Sequence, residues 1–345
     1  MKQTCYFSVP TALLLVVAVL LAAPISAQDT VVVLGKDGRS TSQRKGRIVD
    51  FTGVELRLQT AVGKEETIPT ARVGDVSTTW TPAYQRALQL RAEGKSNDAA
   101  AAFRQARQED ERPWARRKIM AQLTGCWLDL GRVDAAGDEF LAIVASDPNT
   151  QYYNLYPLAW RSLAPDAALE ARADVWLRKE RHPAAMLLGA SWLLASEQRS
   201  AAITVLEKLS IPSAANADAR LTFLAEVQLW RTKIVTAKMD DIARWQRATE
   251  KAPAEIRGVA YYQIAEALAR NDQSEQAALA FLKIPLLDGA QRWLAADALL
   301  AAGGQLERLS RPAQAVGLYR ELATDYATTP VAAEALARLE KMTKE

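Results

Sequence analysis

Cysteine is almost missing from this chain of 345 residues, which holds only two, Cys5 and Cys126. Cys5 precedes the first hydrophobic run, so a chain trimmed of that run keeps Cys126 alone and forms no internal disulfide. Beside Trp127 in an apolar segment, Cys126 reads as a small core residue. Histidine is scarcer still. His182, the only one, stands before Pro183 in a connector, where neither a metal site nor a Ser-His-Asp arrangement has marked partners. Glycine and proline, 16 and 14 residues, are sparse outside short connectors, so the bulk reads as helical rather than as a disordered chain. Paired-cysteine metal spacing, a phosphate-binding glycine loop and the zinc-protease helix motif are all lacking. "SQRK" at Ser42 to Lys45 fits S-x-x-K without its companion motifs. Charge of one sign is missing as well: 43 Lys and Arg against 40 Asp and Glu leave a net +3. Phosphate binding needs a clustered positive footprint, so nucleic acid is not an expected partner. The short basic stretches Arg112 to Lys118 and Gln43 to Arg47 read as solvated faces.

The chain does have one long apolar run, and it is at the start. Lys2 is the only charge before Asp29, "LLLVVAVLLAA" covers Leu13 to Ala23, and small residues end at Ala27. This pattern predicts an export signal, residues 1–27, cleaved after Ala27, and hence a periplasmic or otherwise exported chain. The alternative is an uncleaved anchor.

Residues 28–80 alternate with period two. "VELRLQT" sets Val54, Leu56 and Leu58 on one face and Glu55, Arg57 and Gln59 on the other. Similar runs at Val31 to Leu34, Gly46 to Phe51, Glu65 to Pro69 and Asp75 to Trp80, separated by glycine-bearing turns, predict a small five-stranded β module. Five strands in so short a stretch suggest a small closed barrel or bent sheet that resembles the SH3-like and Sm-like barrels.

From residue 81 to 345 the period is helical. Ala315, Tyr319 and Leu322 share one helix face, and their spacing recurs as Ala99, Phe103, Ala106; Ala136, Phe140, Ile143; Ala202, Leu206, Leu209; and Ala277, Phe281, Ile284. The preceding helix repeats too, with Met120, Leu123 and Trp127 in one copy and Tyr261, Ile264 and Leu268 in another, plus a small residue such as Thr124, Ala190, Ala265 or Gly303. The pattern resembles the tetratricopeptide repeat, whose helix A carries W-L-G-Y and helix B carries A-F-A-P over about 34 residues. Spacings of 37, 39, 36 and 38 between the key small positions, with Asp241 taken as one of them, mark the repeats as degenerate, as in bacterial exported proteins. A gap of 66 between Ala136 and Ala202 leaves room for a further unit around Trp176. The expected fold is thus mainly α: an α-solenoid of about seven hairpins after the β module, with mostly nearest-neighbour contacts.

The resemblance implies function as well as fold. In repeats of this family the fifth and ninth positions of helix A line the concave face, and those positions lack the Lys and Asn of a carboxylate clamp. Tyr84, Leu88, Leu187, Trp230 and Tyr262 are then the expected partner-binding residues, as exposed apolar and aromatic anchors. The resulting expectation is a non-enzymatic scaffold of the bacterial cell envelope that binds other proteins through the concave groove. No catalytic residue, cofactor, metal or small-molecule substrate is expected. The alternatives are a structural homo-oligomer and a hydrolase with a hidden site in the β module.

Overall fold

The computed structural model describes residues 28–37, 39–212, 218–287, 289 and 291–344; the expected export signal lies outside them. Alternating apolar residues build five antiparallel strands, β1 (Asp29–Leu34), β2 (Thr41–Phe51), β3 (Glu55–Gln59), β4 (Glu65–Pro69) and β5 (Val73–Ser77), in the order β4-β3-β2-β1-β5. β2 pairs with β1 through Gly46 and with β3 from Arg47, and its register against β3 shifts between Ile48 and Asp50. Val31, Ile48, Leu56 and Leu58 are buried, whereas Val54 lies just outside β3 and is exposed.

Fourteen α-helices follow among the described residues: α1 (Pro82–Ala92), α2 (Ser96–Glu109), α3 (Pro113–Asp129), α4 (Val133–Ser146), α5 (Ala167–Leu177), α6 (Pro183–Leu193), α7 (Arg199–Leu209), α8 (Ala219–Arg231), α9 (Met239–Lys251), α10 (Ala254–Arg270), α11 (Ser274–Leu287), α12 (Arg292–Arg308), α13 (Pro312–Asp325) and α14 (Ala332–Lys344). Neighbouring helices pair as α1/α2, α3/α4, α5/α6, α6/α7, α10/α11 and α12/α13, α8 packs on α7 and α10, α9 packs on α10, and α14 packs on α13. In four hairpins the first helix ends alike, on a left-handed residue: Gly94, Gly131, Asp272 or Ser310. The following amide then donates back to Leu90, Trp127, Leu268 or Leu306, at 2.8–3.0 Å. That bond satisfies one orphan carbonyl of the helix end each time. The repeated small residues Ala99, Ala136, Ala202, Ala277 and Ala315 are fully buried, as are Phe103, Phe140 and Tyr319. A small side chain there lets paired helices approach, and the large one fills the next layer.

Where a further unit was expected around Trp176, a single helix, α5, lies between α4 and α6, and it pairs with α6. Trp176 on α5 is fully buried against α4, and its indole N–H donates to Asp138 at 3.0 Å. Residues 147–166 are otherwise non-helical apart from a 3₁₀ turn at Tyr153–Leu155. The small position assigned to Asp241 is also corrected. Asp241 accepts from the Lys238 amide at the start of α9, and Ile242 takes the buried place.

The β module does not close its own core. Trp114 and Ala115 of α3 complete the cluster of Val31, Val33, Ile48, Leu56, Leu58 and Ile68. Arg117, almost wholly buried, pairs with Asp50 and donates to the Phe51 carbonyl, while Asp147 accepts from the Gly53 amide at 2.8 Å. A module of this size buries too little surface to stand alone, and α3 supplies the remainder.

Two helical glycines separate packing from propensity. A Cβ at Gly137 would lie 2.6 Å from the Trp176 ring, whereas one at Gly317 meets nothing within 4 Å. Gly137→Ala is expected to destabilise the fold by about 1–3 kcal/mol through overpacking. Gly317→Ala should stabilise it by roughly 0.5–1 kcal/mol. Denaturant unfolding of both variants checks the pair of signs.

Candidate interaction groove

The stretch "QYYNLYPLAW", Gln151 to Trp160, lacks helical periodicity and holds Pro157, which favours extended backbone before it. It crosses the concave side of the solenoid as a strap. Tyr152 and Leu155 pack on Met120 and Ala121 of α3. Tyr153, Tyr156, Leu158, Ala159 and Trp160 are all at most 2% exposed.

Buried main chain needs partners, and side chains of successive helices provide them. The Tyr156 hydroxyl donates to the Ala184 carbonyl on α6. Trp192 Nε1 donates to the Pro157 carbonyl at 2.9 Å, and the Ala159 amide donates to Ser191 Oγ at 2.8 Å. On α10, Gln263 Nε2 donates to the Trp160 carbonyl at 2.8 Å. Arg231 at the end of α8 donates to the carbonyls of Arg161 (2.9 Å) and Ser191 (2.8 Å) and to Gln228 Oε1 (2.7 Å). Arg161 in turn pairs with Asp297 of α12 at 3.2 Å. One extended segment therefore touches α3, α6, α8, α10 and α12. Burial lowers the Arg231 guanidinium to about 10 and, against the pull of Arg161, raises the Asp297 carboxyl to about 6.

The strap and its neighbours change the status of the expected anchors. Tyr84, Leu187, Trp230 and Tyr262 are 2%, 0%, 3% and 4% exposed, so the exposure expected of all four is corrected. Tyr84 stacks on Trp80 of the linker from the β module, ring centroids 4.1 Å apart. Leu187 lies on α6 between Ala184 and Ser191, both bonded to the strap. Trp230 stacks on Trp245 of α9, 5.1 Å away and 7° from parallel. Tyr262 meets Phe281 edge-on at 5.5 Å. Leu88 alone is exposed, at 40%, and lines a cleft of about 550 Å³ with Arg91, Asp129, Arg292, Asp325 and Thr328.

Beyond the strap the concave face is open. A cleft of about 440 Å³ runs between α10, α12 and α14 and is lined by Tyr262, Glu266, Leu300 and Gly304, the fifth and ninth positions of two units. Arg161, Arg270, Arg308 and Arg338 oppose Glu266, Asp297 and Glu334 on its walls. Burial raises the Glu266 carboxyl above its ordinary range. Such a surface can hold polypeptide by charge-assisted hydrogen bonds. The buried Asp29 and the half-buried Asp50 of the β module are occupied in structural contacts with the Ile48 amide, Thr78 and Arg117. Cys126 is buried, its thiol pushed up to about 11 by desolvation. Among the described residues no group of three His, Cys, Asp or Glu side chains could hold a metal ion, and no helix is long and apolar enough to cross a membrane.

Gln228, Gln263, Arg231 and the strap itself are the residues that sequence reasoning missed. The available signal was polar residues set in apolar first helices, opposite an aromatic and proline-bearing gap without period.

The profile of the tetratricopeptide repeat family matches residues 90–156, from the end of α1 through α4 into the strap. No curated protein matches the chain.

Two outcomes follow from this packing. Trp230→Ala is expected to cost roughly 3–5 kcal/mol in unfolding free energy, whereas Leu88→Ala should change it by no more than about 0.5 kcal/mol. Because the folded carboxyl of Asp297 is raised, its contribution is complete below the unfolded value and is lost as pH rises through about 6. Denaturation measured from pH 7 down to pH 4 should therefore show the wild type gaining stability relative to Asp297→Asn.

Proposed function

We propose that this protein is a non-enzymatic interaction scaffold of the bacterial cell envelope that holds an extended segment of a partner protein in the open part of its concave groove. Tetratricopeptide repeats generally mediate protein–protein interaction, and the family profile covers the second helix of the first hairpin and all of the second. The observation that carries the reading is the strap. This groove already holds one extended polypeptide, its own, through side chains that satisfy the main chain at Pro157, Ala159, Trp160 and Arg161. Past Arg161 the same surface continues uncovered, and a partner segment would continue the strap's path toward α14. Apolar run, small residues and the first acidic residue at Asp29 support export with loss of residues 1–27. The strand order and the 3₁₀ turn at Thr70–Arg72 before β5 support reading the β module as an SH3-like barrel.

A photo-crosslinking residue placed at position 266, in cells that export the protein, should trap partner polypeptide. The same residue at position 279, where Leu279 is exposed on α11, should not. Adducts are expected to fall at least about tenfold when Arg270→Glu reverses charge in the cleft, with thermal stability unchanged. Equal labelling from both positions would remove the groove from the function. The intact mass of the exported chain should begin at Gln28, and retention of Met1 would indicate an anchor instead.

A further inference from the structure

Where the strap passes between the turn of the second hairpin and α12, it leaves a cavity of about 300 Å³. Three indole rings, Trp160 of the strap, Trp192 of α6 and Trp293 of α12, form its walls, with Leu128, Val133 and Val331 among the rest. Two charged side chains line it, Arg161 and Asp297, and they are paired with each other at 3.2 Å. The cavity therefore presents no unpaired charge to an occupant, unlike the guanidinium-rich cleft beside it. Trp192 Nε1 already donates to the Pro157 carbonyl. The indole N–H groups of Trp160 and Trp293, by contrast, are buried with no partner among the described residues. The volume lies at the lower end of ligand pockets, enough for one or two fused rings.

We propose that this cavity is a binding site for an uncharged aromatic group of one or two rings. Ring faces pack against the tryptophan walls in offset or edge-on contact. The absence of free charge selects against an ionised ligand. The group is either a free small molecule or a side chain of a bound segment. The site requires no partner protein and stands apart from the reading of the open groove.

Calorimetric titration of the full chain with N-acetyl-tryptophanamide, indole, Gly-Trp-Gly blocked at both ends, and indole-3-acetate tests it. Saturable one-to-one binding of the neutral amide is expected, with the charged acetate at least about tenfold weaker. Leu163, more than half exposed at the rim, can be changed without touching the core. Leu163→Trp should weaken the amide about tenfold or more, while Leu279→Trp on α11 leaves it unchanged. The blocked tripeptide binding more tightly than the amide supports the site and marks a partner's side chain as its occupant. Indole binding as tightly as the tripeptide supports the site and marks a free molecule. Absence of saturable binding by every aromatic probe overturns the proposal, and so does binding that Leu163→Trp and Val133→Trp both leave intact in folded protein.

Discussion

Side chains that bond the main chain of residues 156–161 are the constraint on which the rest of the arrangement depends. An extended segment inside a helical array has no ladder or helix to satisfy its amides and carbonyls, and orphaned groups there would cost several hydrogen bonds. Ser191, Trp192, Arg231 and Gln263 supply those bonds from three different helices. The chain is held at depth by polar contacts and filled by Tyr153, Tyr156, Leu158 and Trp160. Arg231 carries a desolvated charge in this network, and three carbonyl oxygens, two of the main chain and one of Gln228, compensate for the water it lost.

Tying α3, α6, α8, α10 and α12 to one segment alters what kind of object the solenoid is. Repeat arrays ordinarily share contacts between neighbours only. Here most helix contacts are between neighbours, as expected, but the strap adds longer ones: Gln263 reaches a strap carbonyl 103 residues away in sequence, and Arg161 reaches Asp297 across 136. The ends approach as well. Arg91 pairs with Asp129 near Arg292, and Trp293 packs against the core clusters of both the first and the later hairpins. The β module joins the same unit through Arg117 and Asp147, the latter at the first residue of the non-helical segment.

Local pattern made the hairpins and the strands legible. Ala99, Phe103, Ala136, Phe140, Ala315 and Tyr319 fall where their spacing put them, because helix packing is decided by residues three and four apart. Leu56 and Leu58 did the same for β3. The aromatic anchors were misplaced for a physical reason: position in a repeat says which way a side chain points, not what lies over it. Leu187 is buried on α6 between residues bonded to the strap, and Trp230 is buried against Trp245 of α9. The strap left almost no local mark, since its partners lie tens of residues away. Only the lack of period between Ala136 and Ala202, together with Tyr152, Tyr153, Tyr156 and Trp160, hinted that something other than a hairpin was being buried.

Native-state hydrogen exchange of the amides from Leu158 to Arg161, compared with those of α10, tests the central claim most directly. If the strap is an integral part of the core, these amides exchange as slowly as the middle of α10. In a Ser191→Ala, Gln263→Leu double variant they then speed up together with α3 and α12. Exchange at the rate of the exposed turn at residues 93–95, with α3 and α12 undisturbed by the double variant, would contradict it and return the solenoid to an open array with an empty groove.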